Sequence, residues 1–185
     1  MLPKRIPSIT LLILALIVYC TYQHFSPPAK TPPSSTQQSK PSQAAPPPPV
    51  NCNDIKQQLC EFAHQQGFRV ATEKCKGSDE GEWLFDMVWW KQDQRFMTRV
   101  PLVLESELNA SNNIVDDDFI KLLLAKAEHR IWIFERKTRQ QVKESFKECI
   151  ENIKQFGHSQ KGDRYLMFGV DWNPRDFQYR LYVHQ

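Results

Sequence analysis

Apolar residues recur at helical spacing in two parts of residues 51–185. The first helix, predicted over 53–66, has Asn53 or Asp54 as its N-cap and Gly67 as its stop. Its apolar face is formed by Ile55, Leu59, Phe62 and Ala63. A second clear amphipathic stripe predicts a helix over 139–156 and is made by Val142, Phe146, Cys149, Ile150 and Ile153.

Several other apolar runs are typical of strands. GEWLFDMVWWK (81–91) and TRVPLVLESEL (98–108) predict a hairpin around the polar KQDQR turn, and a shorter strand is predicted at 68–72. A helix over 118–129 precedes HRIWIFE (129–135), a continuous apolar run that predicts a strand buried on both faces. The chain ends with YLMFGV and FQYRLYV around DWNPRD. This order predicts an α/β fold with a mixed sheet flanked by helices.

The first 50 residues follow a different pattern. Residues 6–22 carry no charge and come directly after the short basic segment 1–5, which contains Lys4 and Arg5. A helix of this length covers roughly 25 Å, enough for a short membrane span. A cleaved signal peptide is the alternative, but no A-x-A-like exit follows the segment. We interpret 6–22 as an uncleaved transmembrane signal anchor with a cytoplasmic N-terminus, which places the following domain outside the cytoplasm.

Residues 23–50 are rich in proline and predict an extended stalk that cannot build a core. Residues 51–185 therefore form the single folded domain. All 21 acidic residues lie after residue 50, so the formal charge of +3 comes from the N-terminal part, and the domain has 20 basic and 21 acidic residues. This balance excludes a uniformly basic nucleic-acid-binding domain, and any basic surface must be local.

Candidate chemistry lies on the predicted hairpin. Strand alternation places Glu105 and Glu107 on one face, about 7 Å apart. In the preceding strand it separates Asp86 from the face that holds Trp83, Phe85, Met87 and Trp89. If the register brings Asp86 beside Glu105, three carboxylates converge, and Mg²⁺ or Mn²⁺ would relieve their repulsion. The alternative is an ordinary strand with its polar residues turned outward.

Lys121 adds a cation close to this cluster. It lies three residues after Asp118, in the first part of the helix predicted over 118–129. A lysine there could reach the carboxylates, position a water and stabilise developing negative charge. The alternative is a lysine whose ammonium reaches out to solvent.

FDMVWW, ESE and DFIKLLLAKAEHRIWIF together resemble the PD-(D/E)xK nuclease superfamily, whose core is a helix, three strands, a helix and a strand. The resemblance covers roughly residues 53–135. It implies metal ligands at Asp86 and Glu105, with Ser106 between Glu105 and Glu107. Glu107 stands at the usual lysine position, and Lys121 resembles a lysine moved to the next helix. Glu61 is the candidate for an additional acid from the first helix.

The resemblance implies Mg²⁺- or Mn²⁺-dependent hydrolysis of phosphodiester bonds, with Asp86, Glu105, Glu107 and Lys121 as candidate catalytic residues and DNA as the partner. Basic residues that flank the cluster in sequence could contact the phosphate backbone or remain solvated: Lys74, Lys76, Lys91, Arg95 and Arg99. The leading alternative is a non-enzymatic membrane-tethered binding or assembly module on the same fold. The sequence leaves the oligomeric state open.

The domain contains Cys52, Cys60, Cys75 and Cys149. Four cysteines in an exported domain permit two disulfides in three connectivities. Cys60 adjoins the apolar face of the helix over 53–66, and Cys149 lies on the apolar face of the helix over 139–156. The alternative to disulfides is therefore that these cysteines are buried free thiols.

Overall fold

The computed structural model describes residues 52–73, 75–109, 117–172 and 175–185. Within these ranges the chain forms three helices and six strands in the order α1 Cys52–Gln65, β1 Arg69–Ala71, β2 Met87–Asp93, β3 Phe96–Glu107, α2 Asp117–Leu124, β4 His129–Arg136, α3 Arg139–Gln155, β5 Arg164–Trp172 and β6 Arg175–Val183.

All six strands form one mixed sheet in the order β1-β2-β3-β4-β5-β6. The pairs β1/β2, β2/β3 and β5/β6 are antiparallel, whereas β3/β4 and β4/β5 are parallel. Helices α2 and α3 make the two crossovers that the parallel pairs require. The predicted α/β fold with a mixed sheet and helices is therefore confirmed.

The sheet has one hydrophobic cluster on each face. Alternation sends Leu102 and Leu104 of β3 to the face covered by α1, where they pack in one cluster with Ile55 and Leu59. The intervening Val103 packs on the other face, in a cluster with residues of α2 and α3. Strand β4 is buried along its whole length because it lies at the centre of the sheet, as the apolar run predicts.

The predicted hairpin is present, but its first strand is shorter than the pattern suggests. β2 begins at Met87 instead of residue 81, and Asp86 lies in a bend just before it. Alternation therefore does not extend through residues 81–86: Phe85 packs with the α2/α3 cluster, and Trp83 contacts Trp90. The prediction that Trp83 and Phe85 share a face with Met87 was wrong for this reason.

Helix α2 is also shorter than predicted. It ends at Leu124. The backbone N–H of Glu128 donates to the Val100 carbonyl of β3 at 3.0 Å instead of to a carbonyl of the helix. The Ala125 carbonyl accepts from the Arg130 guanidinium, with Nη2 at 2.6 Å. A buried side chain of β4 thus supplies the partner that a further helical turn would otherwise provide.

The predictions for 1–5, 6–22 and 23–50 lie outside the described residues. Among the described residues, no helix is both long and apolar enough to span a membrane.

A disulfide joins Cys60 of α1 to Cys75 in the loop that follows β1. Cys149 is a buried thiol, so none of the three connectivities, which each use all four cysteines, is formed. The interpretation of Cys60 as a free thiol was wrong, because the loop after β1 returns to α1. The side chain of Cys52 lies outside the described part.

Removing this disulfide should lower stability markedly. The cross-link spans a sequence separation of 15, and closing a loop of that size contributes about 3 kcal/mol by restricting the unfolded chain. We expect Cys60→Ala/Cys75→Ala to lower the free energy of unfolding by about that amount in urea denaturation. Reductant should reproduce the loss in the wild type and leave the double variant unchanged. Equal stability of the two proteins would contradict this prediction.

Candidate active site

Asp86 and Glu105 lie at one end of the β2/β3 hairpin. Met87 pairs with Leu104 in the antiparallel register, and Asp86 lies in the bend just before this last pair, close enough to Glu105 for its charge to raise the pKa of that carboxyl. Glu105 in turn pairs with Trp132 of the central strand β4. The hairpin therefore brings Asp86, just before β2, and Glu105, near the end of β3, to the same end of the sheet, with residues 87–104 between them in sequence.

The Glu105 carboxylate is buried, with only 2% of the residue exposed. Its Oε1 makes no hydrogen bond within the described part of the chain. Lys121 Nζ lies 3.3 Å from this oxygen, at ion-pair distance. Burial, reinforced by the charge of Asp86 and opposed by Lys121, raises the pKa of Glu105 to about 7.

Lys121 lies where the migrated lysine of the resemblance was expected. One turn earlier on α2, Asp118 accepts a hydrogen bond from its ammonium at 2.7 Å. This bond is the main reason why the pKa of Lys121 is raised. Desolvation lowers the pKa, and the charge of Glu105 raises it further. Lys121 therefore remains a cation at the edge of the site, between one partly exposed and one buried carboxylate.

Asp86 is held from the α1 side of the sheet. Ser106 Oγ donates a short hydrogen bond to Asp86 Oδ2, and Lys56 Nζ lies 3.1 Å from the same oxygen. Thr72 Oγ1 donates to the Asp86 main-chain carbonyl at 2.8 Å, which fixes the bend before β2. The serine between the two glutamates thus has a definite role in orienting the aspartate.

Lys56 is a site residue that the sequence analysis missed. It is a helix residue only 7% exposed, and it shares the apolar side of α1 with Leu59, Cys60 and Ala63 at spacings of three, four and seven. A lysine inside an apolar stripe is a signal for a buried partner, and that signal was available in the sequence.

Two other predicted acids do not join the pair. The Glu107 side chain accepts from the backbone N–H of Asn109 at 2.7 Å, which turns the carboxylate toward the end of its own strand. Glu61 is exposed on α1 and accepts from Gln57 at 2.7 Å. The described residues contain no group of three or more His, Cys, Asp or Glu side chains able to hold a metal. The expected convergence of three carboxylates is therefore not found among them.

The donor set that remains still suits a hard divalent cation. Mg²⁺ is commonly bound through one or two carboxylates, with water and substrate phosphate completing its shell. Asp86 and Glu105 supply two carboxylates, each of which has a lysine at ion-pair distance: Lys56 at Asp86 and Lys121 at Glu105. Glu82, in the loop before Asp86, has its pKa raised by desolvation and by the charge of Asp86. The local surplus of negative charge thus extends beyond the pair.

The flanking basic residues are not all near the site. Lys91, Arg95 and Arg99 lie toward the tip of the hairpin, and Lys91 is about 17 Å along the strand from Asp86 at ~3.3 Å per residue. Arg99 makes a two-pronged ion pair with Glu128, with Nη2 2.7 Å from Oε2. Lys76 is exposed in the loop after β1, and Lys74 lies outside the described residues.

Comparisons with known proteins gave no match: no family model matches this chain, and neither a curated protein nor a solved structure matches it. The resemblance to PD-(D/E)xK nucleases therefore stays a prediction from the sequence.

Proposed function

We propose that this protein is a membrane-anchored, Mg²⁺- or Mn²⁺-dependent nuclease that hydrolyses phosphodiester bonds of DNA. One observation carries the proposal: the Glu105 carboxylate is buried beside the negative charge of Asp86, with the Lys121 ammonium 3.3 Å from its Oε1. A buried carboxylate in such surroundings is costly to keep ionised. Strongly perturbed carboxylates of this kind cluster at functional sites.

The order of elements also supports this proposal. From α1 through β1, β2 and β3 to α2 and β4, the chain follows the helix, three strands, helix and strand that the resemblance implies. Asp86 comes from the bend before β2, Glu105 from the end of β3 and Lys121 from the next helix. These are the positions at which the resemblance expects the two ligands and a migrated lysine.

In this proposal Asp86 and Glu105 hold the ion. A bound divalent cation would polarise a phosphate oxygen and lower the pKa of an attacking water. Ser106 fixes the orientation of Asp86. Lys121 keeps a positive charge beside Glu105, where it can bind a phosphate oxygen or position a water. Glu107 is a weaker candidate than Lys121 for positioning the water, because its carboxylate accepts a hydrogen bond from the Asn109 backbone.

DNA as the substrate rests on charge and exposure. Lys76, Lys91 and Arg95 present exposed cations that could neutralise backbone phosphates. Arg95 also lies over the Phe96 ring at 5.0 Å, on the exposed tip of the hairpin. Arg99 contributes less in this proposal, because Glu128 already neutralises its guanidinium.

The Cys60–Cys75 disulfide supports a domain outside the cytoplasm. Disulfides persist in oxidising compartments and are rare in the cytosol, so the cross-link agrees with the proposed signal anchor at 6–22 and a cytoplasmic N-terminus. Maleimide labelling of Cys60 and Cys75 under denaturing conditions, with and without prior reduction, tests this location. Labelling without reduction in freshly lysed cells would place the domain on the reducing side.

A second candidate function is a non-enzymatic, membrane-tethered binding or assembly module. The observation in its favour is that each carboxylate already has a lysine: Lys56 at Asp86 and Lys121 at Glu105. Such pairs can neutralise a buried site without a metal, as in a nuclease fold that has lost its chemistry.

Cleavage of labelled DNA by the full chain, purified in detergent, tests the two candidates. The nuclease proposal expects cleavage with Mg²⁺ or Mn²⁺ that stops when a chelator is added, and a melting temperature that rises with either ion. Absence of both effects in a folded protein would overturn the nuclease and favour the binding module. A rise in melting temperature without cleavage of double- or single-stranded DNA would retain the ion site and reject the substrate.

A further inference from the structure

Lys56 occupies an unusual position for a lysine. The residue is 7% exposed, and its neighbours on α1 include Ile55 and Leu59, which belong to the core. Its Nζ lies 3.1 Å from Asp86 Oδ2. Among the described carboxylates, Asp86 is the one within ion-pair distance of this ammonium. Burial is tolerated here because the two charges meet.

The backbone around Lys56 is fixed on both sides. Cys60, one turn later, is joined to Cys75 in the loop after β1. The side chain of Gln57, the next residue, accepts from the Lys76 backbone N–H at 2.8 Å. These contacts hold α1 against the loop that precedes Asp86, so the ammonium cannot leave the carboxylate by a simple movement of the helix.

Lys121 differs from Lys56 in its exposure and in its carboxylate partners. About a third of its side chain is exposed, and Asp118 binds its ammonium at 2.7 Å independently of Glu105. Lys121 can therefore withdraw from Glu105 and keep an ion-pair partner. For Lys56, Asp86 is the carboxylate at ion-pair distance in the described chain, and Glu82 is a more distant electrostatic neighbour, so the ammonium stays at Asp86 in the metal-free state.

We propose that Lys56 is an internal cation that competes with a divalent metal ion for Asp86 and thereby sets the metal concentration at which the site loads. The inference rests on the proposed ion site at Asp86 and Glu105. A cation that approaches Asp86 meets an ammonium at the same carboxylate oxygen, and the two like charges repel each other in a partly buried setting. Loading therefore requires that Lys56 be displaced or that it give up its contact.

Mn²⁺ titration of the full chain in detergent, followed by calorimetry and by the melting temperature, tests this role. We expect Lys56→Met to tighten Mn²⁺ binding by about 10-fold or more, because the competing charge is removed and a side chain of similar length remains. Lys56→Arg keeps the charge and should bind like the wild type. Lys147→Met, which removes an exposed lysine of α3, is the matched control and should leave the affinity unchanged.

The outcomes separate this inference from the proposed function. If the wild type binds Mn²⁺ and Lys56→Met binds it no more tightly, the competing role is wrong while the ion site stands. If neither protein binds Mn²⁺ while both show cooperative unfolding, the ion site and the competing role both fail. If Lys56→Met binds Mn²⁺ more tightly than the wild type and Asp86→Asn/Lys56→Met does not bind it, the competition at Asp86 is supported.

Discussion

Asp86→Asn is expected to reduce metal-dependent DNA cleavage by at least about 100-fold. Residues that merely support a metal ligand commonly change affinity or activity 10- to 100-fold when replaced, and Asp86 is proposed as a ligand itself. Asparagine keeps the size of the side chain and can still accept from Ser106, so the bend before β2 should persist. Because Asp86→Asn also leaves the buried Lys56 ammonium without its ion-pair partner, cleavage is compared as well in Asp86→Asn/Lys56→Met, which should show the same loss if the missing carboxylate is its cause.

Asp93→Asn provides the matched control. Asp93 lies at the far end of β2, paired with Phe96 across the hairpin turn, and it is exposed. Both variants remove one negative charge from the same hairpin, so a change in overall charge affects them equally. Full cleavage by Asp86→Asn, or an equal loss in Asp93→Asn, would reject Asp86 as the metal ligand.

The sequence predicted best the elements whose burial is uniform or strictly periodic. The all-apolar HRIWIFE run predicted β4, and the stripe through Val142 and Ile153 predicted α3, which begins after the Thr138 N-cap. In these segments the local pattern and the final environment agree. The sequence predicted that Asp86, Glu105 and Lys121 lie at one end of the sheet; Lys121 and Glu105 are in contact there, whereas the contacts of Asp86 are Ser106 and Lys56.

The details that the sequence did not predict depend on contacts between distant segments. In WLFDMVWW every position but Asp86 is apolar, so the pattern cannot show that pairing begins at Met87 and that Trp83 stays 45% exposed. The end of α2 depends on Arg130, whose side chain binds the Ala125 carbonyl. The partner of Lys56 depends on how α1 lies over the sheet, although its place in an apolar stripe signalled that a partner was needed.

Glu105→Gln is expected to make the metal-free protein more stable at pH 8, by about 3 kcal/mol. Burial, reinforced by Asp86, raises the pKa of Glu105 from 4.5 to about 7, and every tenfold change in an acid dissociation constant corresponds to about 1.4 kcal/mol. A raised pKa in the folded state stabilises the protein fully below about pH 4.5, and this contribution is lost as pH rises through about 7. Glutamine imitates the protonated acid and avoids that loss.

Urea denaturation in the presence of chelator, from pH 4.5 to 8, measures this difference between variant and wild type. The difference should be small at pH 4.5 and grow until about pH 7. The buried His129, whose pKa is lowered to about 4 by desolvation and by nearby Arg164, is present in both proteins and cancels. Glu148→Gln on the exposed face of α3 should stay within about 0.5 kcal/mol of the wild type at every pH. If Glu105→Gln is instead less stable at pH 8, Lys121 more than compensates the buried charge. Glu105 would then be a structural ion-pair residue, and the buried carboxylate would no longer argue for a metal site.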